Sequence, residues 1–255
     1  MSRALGVANK GSPIPGGGAL WTPASPTTGG GVSPHAWHYA GSGALFQDSL
    51  LTTPAVADGD PIGGSTNQGS DAHSIIQAVA GAKPTLKLNV VNTVHPVYRC
   101  DGGDVLQAAF GGGALAQPNT VIVVAKLTTP VVPNITLCDG APGRHALYNQ
   151  GSAWNIYAGT VLAGGASDAN WNVWLALFNG AGGQFWHNGV SEAAGNVGAG
   201  VMSGLTLAAR DTAVDQWPGD IAELLVYSSN LSTADKNQVG QYLATKYGTA
   251  WTVIL

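Results

Sequence analysis

The sequence predicts an all-β domain of two antiparallel sheets packed face to face, with one short C-terminal helix and an extended N-terminal arm. Three observations support this fold class. Short β-type segments follow one another at sandwich spacing, with turn residues between them. Glycine provides 37 of the 255 residues and only 9% of the residues are charged, which is atypical of a long-helix protein. A single segment, near the C-terminus, carries both the start and the stop signals of a helix.

Seven segments have the composition of strands. Thr120–Lys126 is a continuous apolar run, as expected of a central core strand. Asn188–Gly189 is a strong signal for a tight hairpin, and Asn179–Gly183 marks another turn. The predicted strands are Leu86–Val91, Thr120–Lys126, Trp154–Ala158, Asn172–Phe178, Gln184–Asn188, Gly204–Ala209 and Ile221–Tyr227. Two sheets packed face to face are the simplest arrangement of such segments.

The helix is predicted between Ser232 and Gly248. Ser232 and Asp235 have the spacing of a capping box, and the carboxylate lies near the positive end of the helix dipole. Gly248 stands where a helix stop is expected. The apolar face repeats every four residues and consists of Val239, Leu243 and Tyr247, with Tyr242 beside them. The chain therefore ends in an amphipathic helix that packs on the sandwich.

A longer pattern runs through the closing strand and helix and consists of Gly219–Tyr227, Leu231–Ser232, Asp235 and Tyr242–Gly248. It resembles the closing segment of concanavalin A-like (laminin G-like) jelly-roll domains, which occur in bacterial surface proteins and in structural proteins of tailed phages. The resemblance covers about residues 40–250. It implies that the two sheets form a jelly-roll sandwich.

The first half of the chain extends this resemblance. Its opening loops are similar to those of the phage-associated members, and the strand and turn that follow also match. The matching segments are Phe46–Asp48, Thr52–Pro54, Ala57–Gly63, Ala82–Leu86 and Tyr98–Gly102. The chain departs from the family pattern near Gly64–Ser65, where an aromatic residue and a Ser-Gly-Asn turn are absent. It also departs at Cys100, where an aromatic residue is usual.

Residues 1–34 differ from the rest of the chain. They are rich in glycine and proline and have no hydrophobic periodicity, so they predict an arm, with the sandwich at residues 35–255. One interpretation is a flexible leader. The other is an extended arm that becomes ordered on a neighbouring subunit, with Leu20 and Trp21 as its anchors, because an exposed tryptophan is unfavourable in so polar a segment.

Charge and hydropathy exclude several partners. The net charge is −4 and the basic residues are scattered singly, which predicts that the chain does not bind nucleic acid. No stretch approaches the ~18 apolar residues of a membrane span. The first ten residues lack the apolar core of a signal peptide. We therefore expect a protein made in a cytoplasm that stays there, or leaves by lysis or within a particle.

The two cysteines, Cys100 and Cys138, leave two interpretations open. Without a secretion signal, two buried thiols that act as small apolar residues are expected. A disulfide bond between them is the alternative.

Hydrolysis of glycosides is not predicted. Glycosidases similar to this fold carry a Glu-x-Asp-x-x-Glu strand, because the reaction needs two closely placed carboxylates. The chain has two glutamates, Glu192 in a turn and Glu223 in the closing strand, and neither has an acidic partner at the required spacing. Glu223 is expected to be structural, either pairing with a basic group, for which Arg210 is a candidate, or capping backbone donors.

Two polar segments suggest metal binding. Asp101 and Asp104 lie in an acidic turn that is either a surface turn or part of a calcium site, although calcium requires six to eight oxygen ligands. His35 and His38 lack the spacing of helical zinc ligands and follow Pro34, so they predict a loop-to-strand junction. No other cofactor is predicted.

Aromatic side chains suggest a sugar-binding platform, because aromatic faces stack on pyranose rings. The candidates are Tyr148, Trp154 and Trp217, which border predicted turns. The tryptophans inside predicted strands, Trp171, Trp174 and Trp186, are expected to pack in the core.

Together these patterns predict a non-enzymatic structural protein of a virion: a homo-oligomeric head decoration, spike or fibre component. Its arm would dock on capsid or tail proteins of the same particle, and its far loops would contact host-surface glycans. The alternative is a glycan-binding module of a bacterial surface or secreted protein, which would be extracellular or at the cell surface.

Overall fold

A computed structural model of the chain describes residues 22–23, 33–128 and 134–255. It confirms the two-sheet antiparallel jelly-roll sandwich with a C-terminal helix. Most of the predicted arm, including its proposed anchors Leu20 and Trp21, lies outside the described residues.

The described residues form seventeen strands and one α-helix. In chain order they are β1 (Ala36–Tyr39), β2 (Leu45–Phe46), β3 (Gly64–Thr66), β4 (Ser74–Ile76), β5 (Thr85–Val91), β6 (His95–Asp101), β7 (Leu106–Ala109), β8 (Asn119–Leu127), β9 (Ile135–Asp139), β10 (Ala146–Gln150), β11 (Ala153–Tyr157), β12 (Val161–Ala166), β13 (Asn172–Phe178), β14 (Gly183–His187), β15 (Val190–Gly195), β16 (Gly204–Leu207), β17 (Pro218–Tyr227) and α1 (Thr233–Tyr247). Each predicted strand coincides with an observed strand to within a few residues.

The strands pair into two sheets. The first sheet has the order β15-β14-β13-β8-β17-β6-β5, and β1 pairs with the second half of β17. The second sheet has the order β12-β11-β10-β9-β16-β7-β4-β3-β2. The hairpin between β14 and β15 turns at Asn188–Gly189, where both residues have positive φ (50° and 80°), as a two-residue primed turn requires.

The main hydrophobic core fills the space between the two sheets. Its largest fully buried side chains include Trp154 from the second sheet, Trp174 from the first sheet, and Trp217 from the segment before β17. The rings of Trp154 and Trp174 lie 4.3 Å apart between centroids, and those of Trp154 and Trp217 lie 5.5 Å apart. This aromatic cluster joins the two sheets at their centre.

A second hydrophobic cluster covers the other face of the first sheet. Helix α1 packs there through Val239, Leu243 and Tyr247, as the four-residue repeat predicted. Strand β8 is consequently buried along almost its whole length on both faces, which explains its continuous apolar sequence. Neither hydrophobic cluster of the described residues lies on the outer face of the second sheet, although Thr136, Tyr148 and Thr206 are buried there.

The ends of α1 follow the predicted signals. The Ser232 side chain accepts a hydrogen bond from the Asp235 backbone N–H, and its own hydroxyl donates to the Asp235 carboxylate. Gly248 adopts the left-handed conformation, and its N–H donates to the Ala244 carbonyl.

The carboxylate of Glu223 joins three elements inside the protein. It accepts hydrogen bonds from Trp37 Nε1 (2.6 Å) of β1 and from Lys246 Nζ (2.7 Å) and the Tyr247 hydroxyl (2.7 Å) of α1. The expectation of a basic partner is thus confirmed, but the candidate Arg210 was wrong. Strand β17 turns Glu223 toward α1, whereas Arg210 lies in the loop after β16 and pairs with Asp211 and Asp215.

Both cysteines are buried free thiols. Burial raises the pKa of Cys138 to about 12 and the pKa of Cys100 well above its usual value. Because the thiolate is the reactive form, we expect neither cysteine to react with a water-soluble disulfide reagent in the folded protein. Both should react once the protein is unfolded. Rapid modification under native conditions would contradict the burial of these side chains.

Candidate functional site

The outer face of the second sheet carries a polar pocket of about 160 Å³. Tyr148 of β10, one of the predicted sugar-binding aromatics, lies in it. Strand β10 alternates, so that Leu147 enters the main core while Tyr148 points to the opposite face. The pocket is lined by Asn134, Thr136, Arg144, Tyr148, Gln150, Arg210 and Asp215, and is called here the arginine–tyrosine pocket.

Arg144 is fixed in this pocket from two sides. It lies in the turn between β9 and β10, and its Nε donates a hydrogen bond to Asp139 Oδ2 (3.1 Å). Its guanidinium carbon is 5.2 Å from the ring centroids of both Tyr148 and Tyr157, which are cation–π distances. Among the described residues, no group accepts a hydrogen bond from its two terminal nitrogens. Arg144 is therefore positioned, yet its terminal N–H groups remain available.

Asp139 holds Arg144 from the interior side of the pocket. Its carboxylate is fully buried and accepts hydrogen bonds from the backbone N–H groups of Gly140 (2.9 Å) and His145 (2.6 Å). Burial raises the pKa of Asp139, and the neighbouring Arg144 opposes that shift. The carboxylate consequently holds the arginine in place but does not reach the open side of the pocket.

Arg210 enters the pocket from the loop between β16 and β17. Three residues of this loop that are not glycine have positive φ: Ala208 (66°), Ala213 (56°) and Asp215 (53°). Such conformations are unfavourable and are concentrated at functional sites. The Arg210 guanidinium lies 3.5 Å from Asp211 Oδ1 and 3.7 Å from Asp215 Oδ2, distances that are long for a hydrogen bond. This second arginine is therefore only loosely paired.

The pocket has the chemistry of a binding site for a polar ligand. Two guanidinium groups and the side-chain amides of Asn134 and Gln150 provide donors, while Asp215 and Thr136 provide acceptors. Its volume is smaller than the roughly 300–1,000 Å³ of sites for drug-sized ligands, so it accommodates a single ring or a charged group.

The other two predicted sugar-binding residues lie elsewhere. Trp154 and Trp217 are 1% and 0% exposed and belong to the main core. The expectation that they form a platform with Tyr148 is therefore corrected: they border turns in sequence, but their rings point between the sheets. A ring enclosed between the sheets has no free face on which a sugar can stack, whereas Tyr148, although only 8% exposed, borders the pocket.

The acidic turn that contains Asp101 and Asp104 is stabilised by hydrogen bonds within the turn. Asp104 Oδ2 accepts from the Asp101 backbone N–H (2.9 Å), and Asp101 Oδ1 accepts from the Gly103 N–H (2.8 Å). Burial raises the pKa of Asp104 to about 6. Across the described residues, no cluster of three or more His, Cys, Asp or Glu side chains is arranged to hold a metal ion. The calcium hypothesis thus gains no support from this turn.

The histidines near residue 35 belong to a buried chain of hydrogen bonds. His38 Nε2 is 3.1 Å from His73 Nε2, and His73 Nδ1 is 2.9 Å from Asp71 Oδ2. At its other end, His38 Nδ1 is 3.0 Å from Ser65 Oγ, which is 2.9 Å from the Tyr98 hydroxyl. His38, Ser65 and Tyr98 are almost completely buried, so a substrate has no access to them. These hydrogen bonds join β1, β3 and β6, so the two histidines have a structural role.

No helix of the described residues is long and apolar enough to span a membrane.

No protein-family model and no curated protein sequence matches the chain. Solved structures of similar fold include the botulinum neurotoxin serotype D binding domain, which is 13% identical with a TM-score of 0.50, covering 69% of this chain and 53% of that chain. The binding domain of botulinum neurotoxin DC in complex with SialylT is 10% identical with a TM-score of 0.49, covering 67% and 48% respectively. This chain spans about half the length of these structures. At such low identity the likeness concerns the β-sandwich fold alone.

Proposed function

We propose that this chain is a non-catalytic carbohydrate-binding β-sandwich whose sugar site is the arginine–tyrosine pocket. The observation that carries the proposal is the pair of arginines, Arg144 and Arg210, whose guanidinium groups face the same pocket with unfilled donors beside Tyr148. Sugars present many hydroxyl groups within a small volume, and each hydroxyl both donates and accepts hydrogen bonds. A pocket lined almost entirely by polar side chains suits such a ligand.

The distribution of carboxylates supports binding without turnover. Glycoside hydrolysis uses two carboxyl groups on opposite sides of the scissile bond. Among the described residues that line the pocket, Asp215 is the one with a carboxylate. Glu223 is fully buried on the far side of the first sheet, and Glu192 lies 3.5 Å from His187 at the β14–β15 hairpin. Neither glutamate therefore lies where it could act as a second carboxylate beside Asp215.

A panel of immobilised neutral and acidic glycans tests this proposal. We expect saturable binding to a restricted set of glycans by the wild-type protein. Gln150 is exposed at the pocket, so Gln150→Trp should fill the cavity without entering the core and reduce binding at least about tenfold. Gln241→Trp, the same change at an exposed position of α1, is the matched control and should bind normally. Absence of glycan binding, or equal binding by both variants, would contradict the proposal.

We also propose that this binding protein belongs to a phage-type particle, as a homo-oligomeric head decoration, spike or fibre component. The support is the resemblance of its opening loops to phage-associated jelly-roll domains. The Asp48 carboxylate accepts hydrogen bonds from the backbone N–H groups of Leu50 and Thr53, and the Thr53 bond is the main cause that lowers the pKa of Asp48 to about 2. The connection between β2 and β3 that contains this turn presents Leu50 at 82% exposure and Val56 at 72% exposure. Such apolar side chains suit contacts with other proteins.

Incorporation of the protein into particles tests its proposed role in a phage-type particle. The double substitution Leu20→Ala and Trp21→Ala removes the proposed anchors of the arm from the full chain. We expect the variant to fold and to bind glycans but to be lost from purified particles. Normal incorporation would contradict the role of the arm. The alternative, a glycan-binding module of a bacterial surface or secreted protein, predicts instead that the protein occurs at the cell surface in the absence of any particle.

A further inference from the structure

We infer that the arginine–tyrosine pocket selects acidic sugars, by holding the carboxylate of the sugar between Arg144 and Arg210. This inference rests on the proposed function and specifies the class of its ligand. It follows from the donors that each arginine leaves unpaired, from the position of the nearby acidic groups, and from the geometry of the guanidinium group.

Arg144 has one of its five N–H donors occupied by a described residue. That donor is Nε, which binds Asp139. The rings of Tyr148 and Tyr157 each lie 5.2 Å from its guanidinium carbon, so they restrain the side chain without accepting conventional hydrogen bonds. The two terminal nitrogens carry the four remaining donors. Neutral hydroxyl groups accept from a cation less strongly than a carboxylate does.

The Arg210 side chain makes no hydrogen bond to a described residue within ordinary limits. Its Nε is shielded from solvent and lies 3.5 Å from Asp211 Oδ1, which is likewise buried without a hydrogen bond among the described residues, and Nη1 lies 3.7 Å from Asp215 Oδ2. These distances exceed those of a hydrogen bond, so neither aspartate fills the terminal N–H groups of Arg210. A ligand carboxylate would supply an acceptor for these terminal groups.

The nearby aspartates do not accept hydrogen bonds from the terminal N–H groups of the two arginines. Asp139 lies beneath Arg144 and is fully buried, with both carboxylate oxygens engaged by the protein. Asp211 lines a neighbouring groove rather than the pocket. Asp215 is the single carboxylate among the described residues that line the pocket, while Asp139 and Asp211 balance the two arginines from outside it, so what faces the ligand is a set of unfilled guanidinium donors.

The planar guanidinium group matches a carboxylate in shape as well as charge, because two parallel N–H groups can bind its two oxygens. A free inorganic anion such as sulfate shares part of this chemistry. What distinguishes an acidic sugar is its ring, whose hydroxyl groups can bond to Gln150, Thr136 and Asp215 in the same pocket. The sugar should consequently bind more tightly than the anion alone.

Calorimetric titration at low salt provides the test, with galacturonic acid oligomers, glucuronic acid oligomers and N-acetylneuraminyl-lactose as probes. Each acid is compared with its methyl ester, which keeps the shape and removes the charge. We expect at least one acid to bind about tenfold more tightly than its ester, and sodium sulfate to compete only weakly. Arg210→Gln should abolish the preference for the acid. Lys126→Gln makes the same change of charge outside the pocket and should leave the preference intact.

Arg144 needs a conservative variant, because removing it would leave the buried Asp139 unpaired and could unfold the protein. Arg144→Lys retains a cation for Asp139 but lacks the planar fork, so the folded variant should lose most of the preference for the acid. Equal binding of acids and esters by the wild-type protein would overturn the inference and leave the proposed function standing. Sulfate binding as tight as that of the best sugar would also overturn it. Absence of binding to any sugar, neutral or acidic, would overturn both.

Discussion

Replacing Glu223 by alanine is expected to lower the free energy of unfolding by about 3–5 kcal/mol. The substitution removes a fully buried carboxylate that accepts from Trp37 Nε1, Lys246 Nζ and the Tyr247 hydroxyl. The Lys246 ammonium, whose side chain is 19% exposed, would lose its counter-ion. Two buried aromatic donors would lose their acceptor at the same time. Because the cluster joins β1, β17 and α1, its loss should loosen the helix from the first sheet.

Urea denaturation of the wild type and of two further variants measures this effect. Glu223→Gln keeps an acceptor but removes the charge, so it should be less harmful than alanine. Glu192→Ala replaces the other glutamate of the chain, which is partly exposed and lies 3.5 Å from His187, and should change stability by about 1 kcal/mol or less. If Glu223→Ala cost no more than Glu192→Ala, the structural role of Glu223 would be wrong.

The second large effect is a loss of stability below about pH 6.5. Burial lowers the pKa of His145 to about 3. Burial first, and the neighbouring His73 second, also lower the pKa of His38 well below its usual value. Burial lowers the pKa of His73 as well, although the adjacent Asp71 opposes that shift. Between the folded and unfolded pKa values the unfolded chain binds more protons, so stability rises with pH across this interval.

The hydrogen bonds explain why these imidazoles stay neutral. The Asp71 carboxylate also accepts from the backbone N–H groups of Gly111 and Gly112, so it is an acceptor for His73 Nδ1–H. His73 Nε2 is then unprotonated and must accept from His38 Nε2–H. A second proton between the two rings would place two N–H groups against each other. His145 similarly donates from Nε2 to Asn119 Oδ1 (2.8 Å) and is buried, which favours its neutral form.

The net effect is expected to be a few kcal/mol between pH 7 and pH 4, since each unit of pKa shift corresponds to about 1.4 kcal/mol. Asp104 and Asp139 act in the opposite direction, because burial raises their pKa values and the folded protein then retains protons. Denaturation curves at several pH values measure the balance. His145→Gln should flatten the dependence below pH 6.5. Stability that stays constant or increases from pH 7 to pH 5 would contradict the neutral state of the buried histidines.

The sequence predicted the elements whose signals are local. Ser232 and Gly248 mark the ends of α1, and Asn188–Gly189 marks the hairpin, because capping and turn formation depend on residues a few positions apart. The continuous apolar run of β8 also predicted a core strand. The reason for its continuity, burial by the second sheet on one face and α1 on the other, became clear only from the fold.

The candidate site was less predictable, because it is assembled from distant parts of the chain. Tyr148 was identified from its aromatic ring and nearby turn, but Arg144 and Arg210 were isolated arginines without a motif. Their convergence depends on the β9–β10 turn and on the loop between β16 and β17. The prediction that Trp154 and Trp217 bind sugar was wrong for a related reason. The direction of a side chain near a strand end depends on the register of the strand, which the sequence does not specify there.

The central claim, that the arginine–tyrosine pocket binds sugar, is tested most directly by a crystal structure with the tightest ligand from the glycan panel. We expect a sugar ring beside Tyr148, with its oxygens within about 2.7–3.2 Å of the guanidinium nitrogens of Arg144 and Arg210. A sugar bound at saturating concentration on any other surface, with this pocket empty of it, would contradict the account.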